Sequence, residues 1–173
     1  KNIERQTNHD VKAVEYYIRG KVNKSIHPWI HFALTSEDVN NLSYTLMWRD
    51  ALNKIYIPQL ISLQGESNLL SRKYSNSAML SMTHGQAATP TTFGKEIKVF
   101  AKRIERQIVG INNHRLLGKF GGATGTWSTH TVVYPNVNWL LFAKNYIKSL
   151  NLDPNIVTTQ IEPHDSIAES YHR

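Results

Sequence analysis

From Ile97 to Ile111, apolar side chains return every third or fourth residue, at Ile97, Phe100, Ile104, Ile108 and Ile111. That spacing lays them along one face of a helix, whereas a strand would send them to alternate faces. The same period recurs at Val39, Leu42, Leu46, Ile55, Leu60 and Leu63, so a second long helix is expected there. Pro58 falls inside that run. It should kink or divide the helix, because proline lacks the amide hydrogen and its ring meets the preceding turn. Thr35-Ser36-Glu37-Asp38 marks the start, with Thr35 and Asp38 at capping-box spacing.

A third helix is expected from about Pro135, carrying Trp139, Phe142, Ala143, Tyr146, Ile147 and Leu150, and a fourth from Pro163 onward. Strand signals are scarce. "HTVVY", from His130 to Tyr134, is the best short candidate, and no set of alternating segments supports a sheet. The expected fold class is all-α, a bundle of long helices with polar segments at their ends. The chain begins "KNIERQTNHD", without methionine, and "AESYHR" breaks off within an expected helix, so a longer parent protein is expected.

Composition narrows the function classes. With 40% hydrophobic residues the chain can bury a core. It has no cysteine, which excludes disulfides and zinc–thiolate sites and fits a reducing compartment. No apolar run approaches the ~18 residues of a membrane-spanning helix, and no signal pattern opens the chain; a cytoplasmic location is the expectation. The formal net charge of +7 favours an anionic partner without saying which. Lys95, Lys98, Lys102, Arg103 and Arg106 cluster, but on one helical segment that carries a clean apolar stripe, so nucleic acid is the weaker choice.

Polar segments between the helical runs hold the candidate chemistry. In "SMTHGQAATPTTFGKE", His84 can exchange protons near neutral pH, and Gly85 permits a tight turn and close ligand approach. An exposed loop histidine is the plain alternative. His9 stands beside Asp10, with Lys12 and Glu15 on the following turns. A carboxylate can orient an imidazole, yet Asn8 or Asp10 could equally cap a helix here. Thr35 and Ser36 could cap a helix and also receive a carboxylate or phosphate at its positive end. "GGATG" lacks both glycine-rich phosphate signatures and is expected to serve as a helix-linking turn, with ligand contact through its amides left open. A metal site is not expected: there is no H-E-x-x-H, and Pro28 between His27 and His31 disfavours an ordinary helix there.

Taken together and in order, five pieces resemble the adenylosuccinate lyase family of the fumarase/aspartase superfamily. They are N-H-D-V-K-A-V-E-Y (Asn8 to Tyr16), H-F-A-L-T-S-E-D-V-N-N (His31 to Asn41), T-H-G-Q-x-A-T-P (Thr83 to Pro90), G-K-E (Gly94 to Glu96) and T-T-Q-I-E-P-H-D (Thr158 to Asp165). The resemblance implies a helical protein assembled as a homotetramer around a long bundle, with active sites shared between subunits. Residues 1–30 would end an N-terminal helical domain, and residues 31–173 would belong to the central bundle.

The implied activity is elimination of fumarate from adenylosuccinate, giving AMP, and from the related succinyl-carboxamide ribotide, with no metal or organic cofactor. By the same resemblance His84 is the general acid, and His9 is a second active-site histidine near the substrate's phosphate. Asn8 and Asp10 are nucleotide contacts; Thr35, Ser36 and Thr83 surround the nucleotide and succinyl groups; Gln160 binds substrate; Lys95 belongs to the site, with Glu96 beside it. The family's base is a serine in the pattern S-S-x-M-P-x-K-x-N-P, which these 173 residues do not contain. Met82 and Ala87 also depart from the usual arginine and proline around T-H-G-Q. A helical assembly or binding module without catalysis therefore stands as the alternative reading.

Overall fold

The computed structural model describes residues 1–173 and orders the chain as follows. Helices α1 (Asn2–Thr7) and α2 (Asp10–Arg19) lead to a 3-10 helix, Lys24–Trp29. Helix α3 (Ser36–Ala51) runs through a π-helical turn, Leu52–Tyr56, into α4 (Ile57–Lys73). Strands β1 (Ala78–Thr83) and β2 (Gln86–Thr92) precede α5 (Phe93–Asn112). Then come β3 (Leu117–Gly118), α6 (Ser128–Val133), α7 (Trp139–Ser149), β4 (Asp153–Pro154) and α8 (Asp165–Tyr171).

The chain divides into two compact units: Lys1–Trp48 with Arg115–Ala168, and Arg49–His114 with Glu169–Arg173. The first unit buries Leu42, Leu116, Ile147 and Leu152 together, with Leu46, Trp48, Phe120, Leu150 and Ile167 packed around them. Gly118 sits in this core; a Cβ there would come within 2.6 Å of the Leu42 side chain. In the second unit α4 packs on α5, and Ser71 Oγ donates to the Gly94 carbonyl oxygen at 2.8 Å.

Several expectations need correction. The fold is mostly helical rather than all-α, because β1 and β2 pair as an antiparallel hairpin and β3 pairs with β4 in parallel. The hairpin was hidden because neither strand alternates apolar with polar residues: β1 reads AMLSMT, β2 reads QAATPTT, and both are largely exposed. "HTVVY" is no strand; His130 to Val133 close α6, and Val132 is 82% exposed. Its β-branched residues reflect local sequence without a neighbouring strand to pair with, and tertiary context overrides that preference. The third helix begins at Trp139 rather than near Pro135, where Asn138 caps it by accepting from the Leu141 amide at 2.9 Å.

Pro58 acts through the turn before it. Its missing amide leaves the Lys54 carbonyl without the usual partner, and the chain widens into the π turn, with the Ile57 amide bonded to the Leu52 carbonyl. Pro28 likewise lies in a 3-10 helix and not an α-helix.

Candidate active site

His84 and Gly85 form the two-residue turn of the β1–β2 hairpin, with φ of 50° and 72°. Two consecutive positive φ values make the type I′ arrangement, which matches the strand twist and favours glycine at the second place. Thr83 pairs with Gln86 directly across this turn. Both Thr83 and His84 are exposed, so the fold presents the imidazole at a hairpin tip. Lys95 follows the hairpin in the first turn of α5, where its amide donates to the capping Thr92 Oγ1 at 3.2 Å and its ammonium pairs with Glu96 at 2.5 Å.

The other candidates belong to the first unit. His9 itself caps α2: its Nδ1 accepts from the Lys12 amide at 3.4 Å. The same Nδ1 lies 3.2 Å from Asp10 Oδ1, and Nε2 lies 3.4 Å from Ser36 Oγ. The cap needs an unprotonated Nδ1 and the ion pair needs a protonated one, so the two uses belong to different protonation states. Asn8 holds the left-handed position between α1 and α2, with φ 50°.

The capping box at α3 is only half made. Asp38 Oδ2 accepts from the Thr35 amide at 2.9 Å, but Thr35 Oγ1 instead accepts from Gln160 Nε2 at 3.2 Å. The structure thus joins His9 to Ser36 and Thr35 to Gln160, while Thr83, His84 and Lys95 occupy the second unit.

A cavity of about 430 Å³ opens over His9, Lys12, Glu15, His31, Thr35 and Ser36. Glu15 is 4% exposed and pairs with Lys12 at 2.7 Å and Arg19 at 2.6 Å. Burial alone would raise its pKa, but the two cations outweigh that and hold it below the ordinary carboxylate value. His31 has φ 62°, and its buried Nε2 has no protein hydrogen-bond partner. The positive end of α3, two hydroxyls and nearby cations make this a place for an anion. His31 went unselected because spacing to His27 was weighed only as a metal motif; its position at the head of "HFALTS" was the available signal.

The glycine-rich segment, expected as a helix-linking turn, lies outside helices and strands ahead of α6. The Gly121 and Gly122 amides donate to the Asp38 carboxylate at 2.9 and 3.0 Å, so they are engaged inside the protein rather than held out to a ligand. Gly125, with φ 74°, packs against the Thr158 and Thr159 carbonyls, and a Cβ there would collide with backbone. No three His, Asp or Glu side chains converge as metal ligands. No helix is long and apolar enough to cross a membrane.

A family model described as Lyase matches residues 1–172. The chain belongs to this Lyase family. It is 44% identical over 176 residues to adenylosuccinate lyase of Buchnera aphidicola subsp. Acyrthosiphon pisum (strain APS), covering 99% of this chain and 39% of that protein. It is 47% identical over 174 residues to adenylosuccinate lyase of Legionella pneumophila (strain Corby), covering 98% and 38%. Against the Escherichia coli (strain K12) adenylosuccinate lyase the identity is 46% over 176 residues, covering 99% and 39%. The chain spans about two fifths of the length of these curated relatives.

Two solved structures share the fold. Fumarate lyase from Mesorhizobium sp. BNC1 superposes with a TM-score of 0.75 at 22% identity, covering 94% of this chain and 36% of that one. Beta-carboxy-cis,cis-muconate cycloisomerase from Acinetobacter calcoaceticus sp. ADP1 gives 0.69 at 23%, covering 86% and 33%.

Proposed function

We propose that the protein to which these residues belong is an adenylosuccinate lyase. It would eliminate fumarate from adenylosuccinate, giving AMP, and from the succinyl-carboxamide ribotide of purine biosynthesis, in the cytoplasm. The observation that carries this reading is 44–47% identity to adenylosuccinate lyases over nearly the whole chain. Residues 1–30 would close an N-terminal domain and residues 31–173 would contribute to the central bundle. No cofactor is required.

In the proposed reaction a base removes a proton from the succinyl carbon adjacent to the one that bears the leaving nitrogen. The C–N bond then breaks to form the fumarate double bond, and His84 delivers a proton to the departing nitrogen. An exposed hairpin tip suits that task, since the acid must enter a site completed by other chains. The cavity at His9, His31, Thr35 and Ser36 would receive the phosphate, with Asn8 and Asp10 beside it on the nucleotide. Thr83, Gln160 and Lys95 would contact the succinyl carboxylates and neighbouring groups. The base, a serine by family resemblance, is not among these residues, so this segment alone should not turn over substrate.

Self-association into a homotetramer is supported by apolar side chains exposed on the second unit. Ile55, Ile61, Leu63 and Phe100 are each more than half exposed, at 65%, 51%, 53% and 58%. Fumarate release from adenylosuccinate, followed by absorbance on the full-length protein, tests the reading. A parent that assembles but releases no fumarate would favour the non-catalytic helical module instead.

A further inference from the structure

Lys119 is 1% exposed, yet its ammonium is fully engaged. Nζ donates to the Gly122 carbonyl at 2.7 Å and to the Gln160 carbonyl at 2.8 Å, and lies 2.9 Å from Asp38 Oδ1. Asp38, also 1% exposed, accepts from the amides of Thr35, Gly121 and Gly122 as well. Asn41 clamps the Lys119 main chain from both sides, accepting from its amide at 2.8 Å and donating to its carbonyl at 3.0 Å.

A buried pair of this kind is a poor source of stability, since desolvating two charges offsets their attraction. What it fixes is geometry. Residues 119–127 and 155–164 lie outside helices and strands, and the pair ties both to the start of α3. Asp38 holds the backbone amide of Thr35, Lys119 holds the backbone carbonyl of Gln160, and the side chains of those two residues then meet at 3.2 Å. Each half of the ion pair anchors one of the two meeting residues.

We propose that Lys119 and Asp38 are a positioning pair that sets Thr35 and Gln160 in register for the substrate. The proposal rests on the functional reading above. Neither residue needs to touch substrate; each acts through the main chain of a residue that does. Loss of the ammonium leaves the Gln160 carbonyl and the segment around it untethered, so substrate binding should suffer more than the chemical step.

The test uses the full-length protein, with KM and kcat for adenylosuccinate measured in wild type, Lys119→Met, Gln160→Ala and the double variant. Ile147→Ala, a truncation in the core of the same unit, is the packing control. Lys119→Met should lower kcat/KM by about tenfold to a hundredfold, mostly through KM, the scale of a small misplacement of a binding group. The double variant should match Gln160→Ala within about twofold, because Lys119 acts through that residue. Ile147→Ala should lower the melting temperature and leave KM near wild type.

Multiplying effects in the double variant, or an equal KM rise in Ile147→Ala, would overturn the proposal. Should Lys119→Met not fold, Asp38→Asn/Lys119→Met strands no charge and takes its place in the same comparison. A wild-type parent with no fumarate release sinks the functional reading and the pair's role in it; an active Lys119→Met protein with unmoved KM sinks the pair's role alone.

Discussion

The Gln160 amide nitrogen donates to the Thr35 hydroxyl oxygen at 3.2 Å across 125 residues of sequence. Thr35 keeps its own hydroxyl proton and Gln160 a second N–H, so the pair can still offer two donors to a carboxylate. In the full-length enzyme, Thr35→Val keeps the shape and removes both the acceptor for Gln160 and one donor. KM for adenylosuccinate should rise about tenfold, the factor for about 1.4 kcal/mol, with a smaller change in kcat. Steady-state kinetics decide the point; a KM equal to wild type would remove Thr35 from the binding surface.

His84 serves two masters, the turn and the chemistry. A variant that breaks the hairpin would say nothing about proton transfer, so the replacement must tolerate φ 50°. Asparagine does, and is favoured in type I′ turns. His84→Asn in the full-length enzyme should therefore leave circular dichroism and assembly unchanged while kcat falls about 100-fold to 10,000-fold, the range for a lost general acid. Turnover close to wild type would exclude His84 as the acid.

Gly94 opens the G-K-E segment, and its reason for being glycine lies in packing. A Cβ there would stand 2.7 Å from the Ser75 amide nitrogen and the Tyr74 carbonyl carbon, and closer still to the Ser71 carbonyl oxygen. Those are backbone atoms at the end of α4, which cannot swing aside. Gly94→Ala should lower stability by about 2–3 kcal/mol, as forced overpacking does, read as a drop in the denaturant midpoint. An unchanged midpoint would mean that α4 and α5 separate freely at that contact.

The contrast between Gly94 and His84 shows what the sequence disclosed. Period-three-to-four spacing at Ile97 through Ile111 located α5, because helices write themselves in apolar spacing. Pro28 and Pro58 marked where ordinary helix would be interrupted, but not that the chain would form 3-10 and π turns there. The β1–β2 hairpin carries no such record. Its strands are largely exposed, so they have no alternation to keep, and His84-Gly85 is not among the common hairpin dipeptides. The ordered motifs named the site residues through resemblance. They could not reveal Lys119 or Asp38 as anchors, since that pair forms between residues 81 apart and looks like an ordinary surface charge and a helix cap.

His130 gives the protein a pH dependence that can be signed in advance. The side chain is 1% exposed and packed among Phe32, Phe120 and Trp139, with ring centroids 5.8, 5.5 and 4.8 Å away. Neither ring nitrogen has a protein hydrogen-bond partner. Burial penalises the imidazolium and pushes the pKa below the ordinary 6.5; the charge of Asp38 opposes this and only partly restores it. Between the folded value and 6.5 the unfolded chain binds more protons, so stability rises with pH across that window. The contribution is whole above 6.5 and is lost as pH falls through the folded-state value. Urea midpoints of the wild type should therefore be lower at about pH 5.5 than at about pH 8, and His130→Phe, which cannot titrate, should narrow that gap. A gap of the same size in His130→Phe would assign the dependence to other groups and show that His130 takes up its proton in the folded protein as readily as in the unfolded chain.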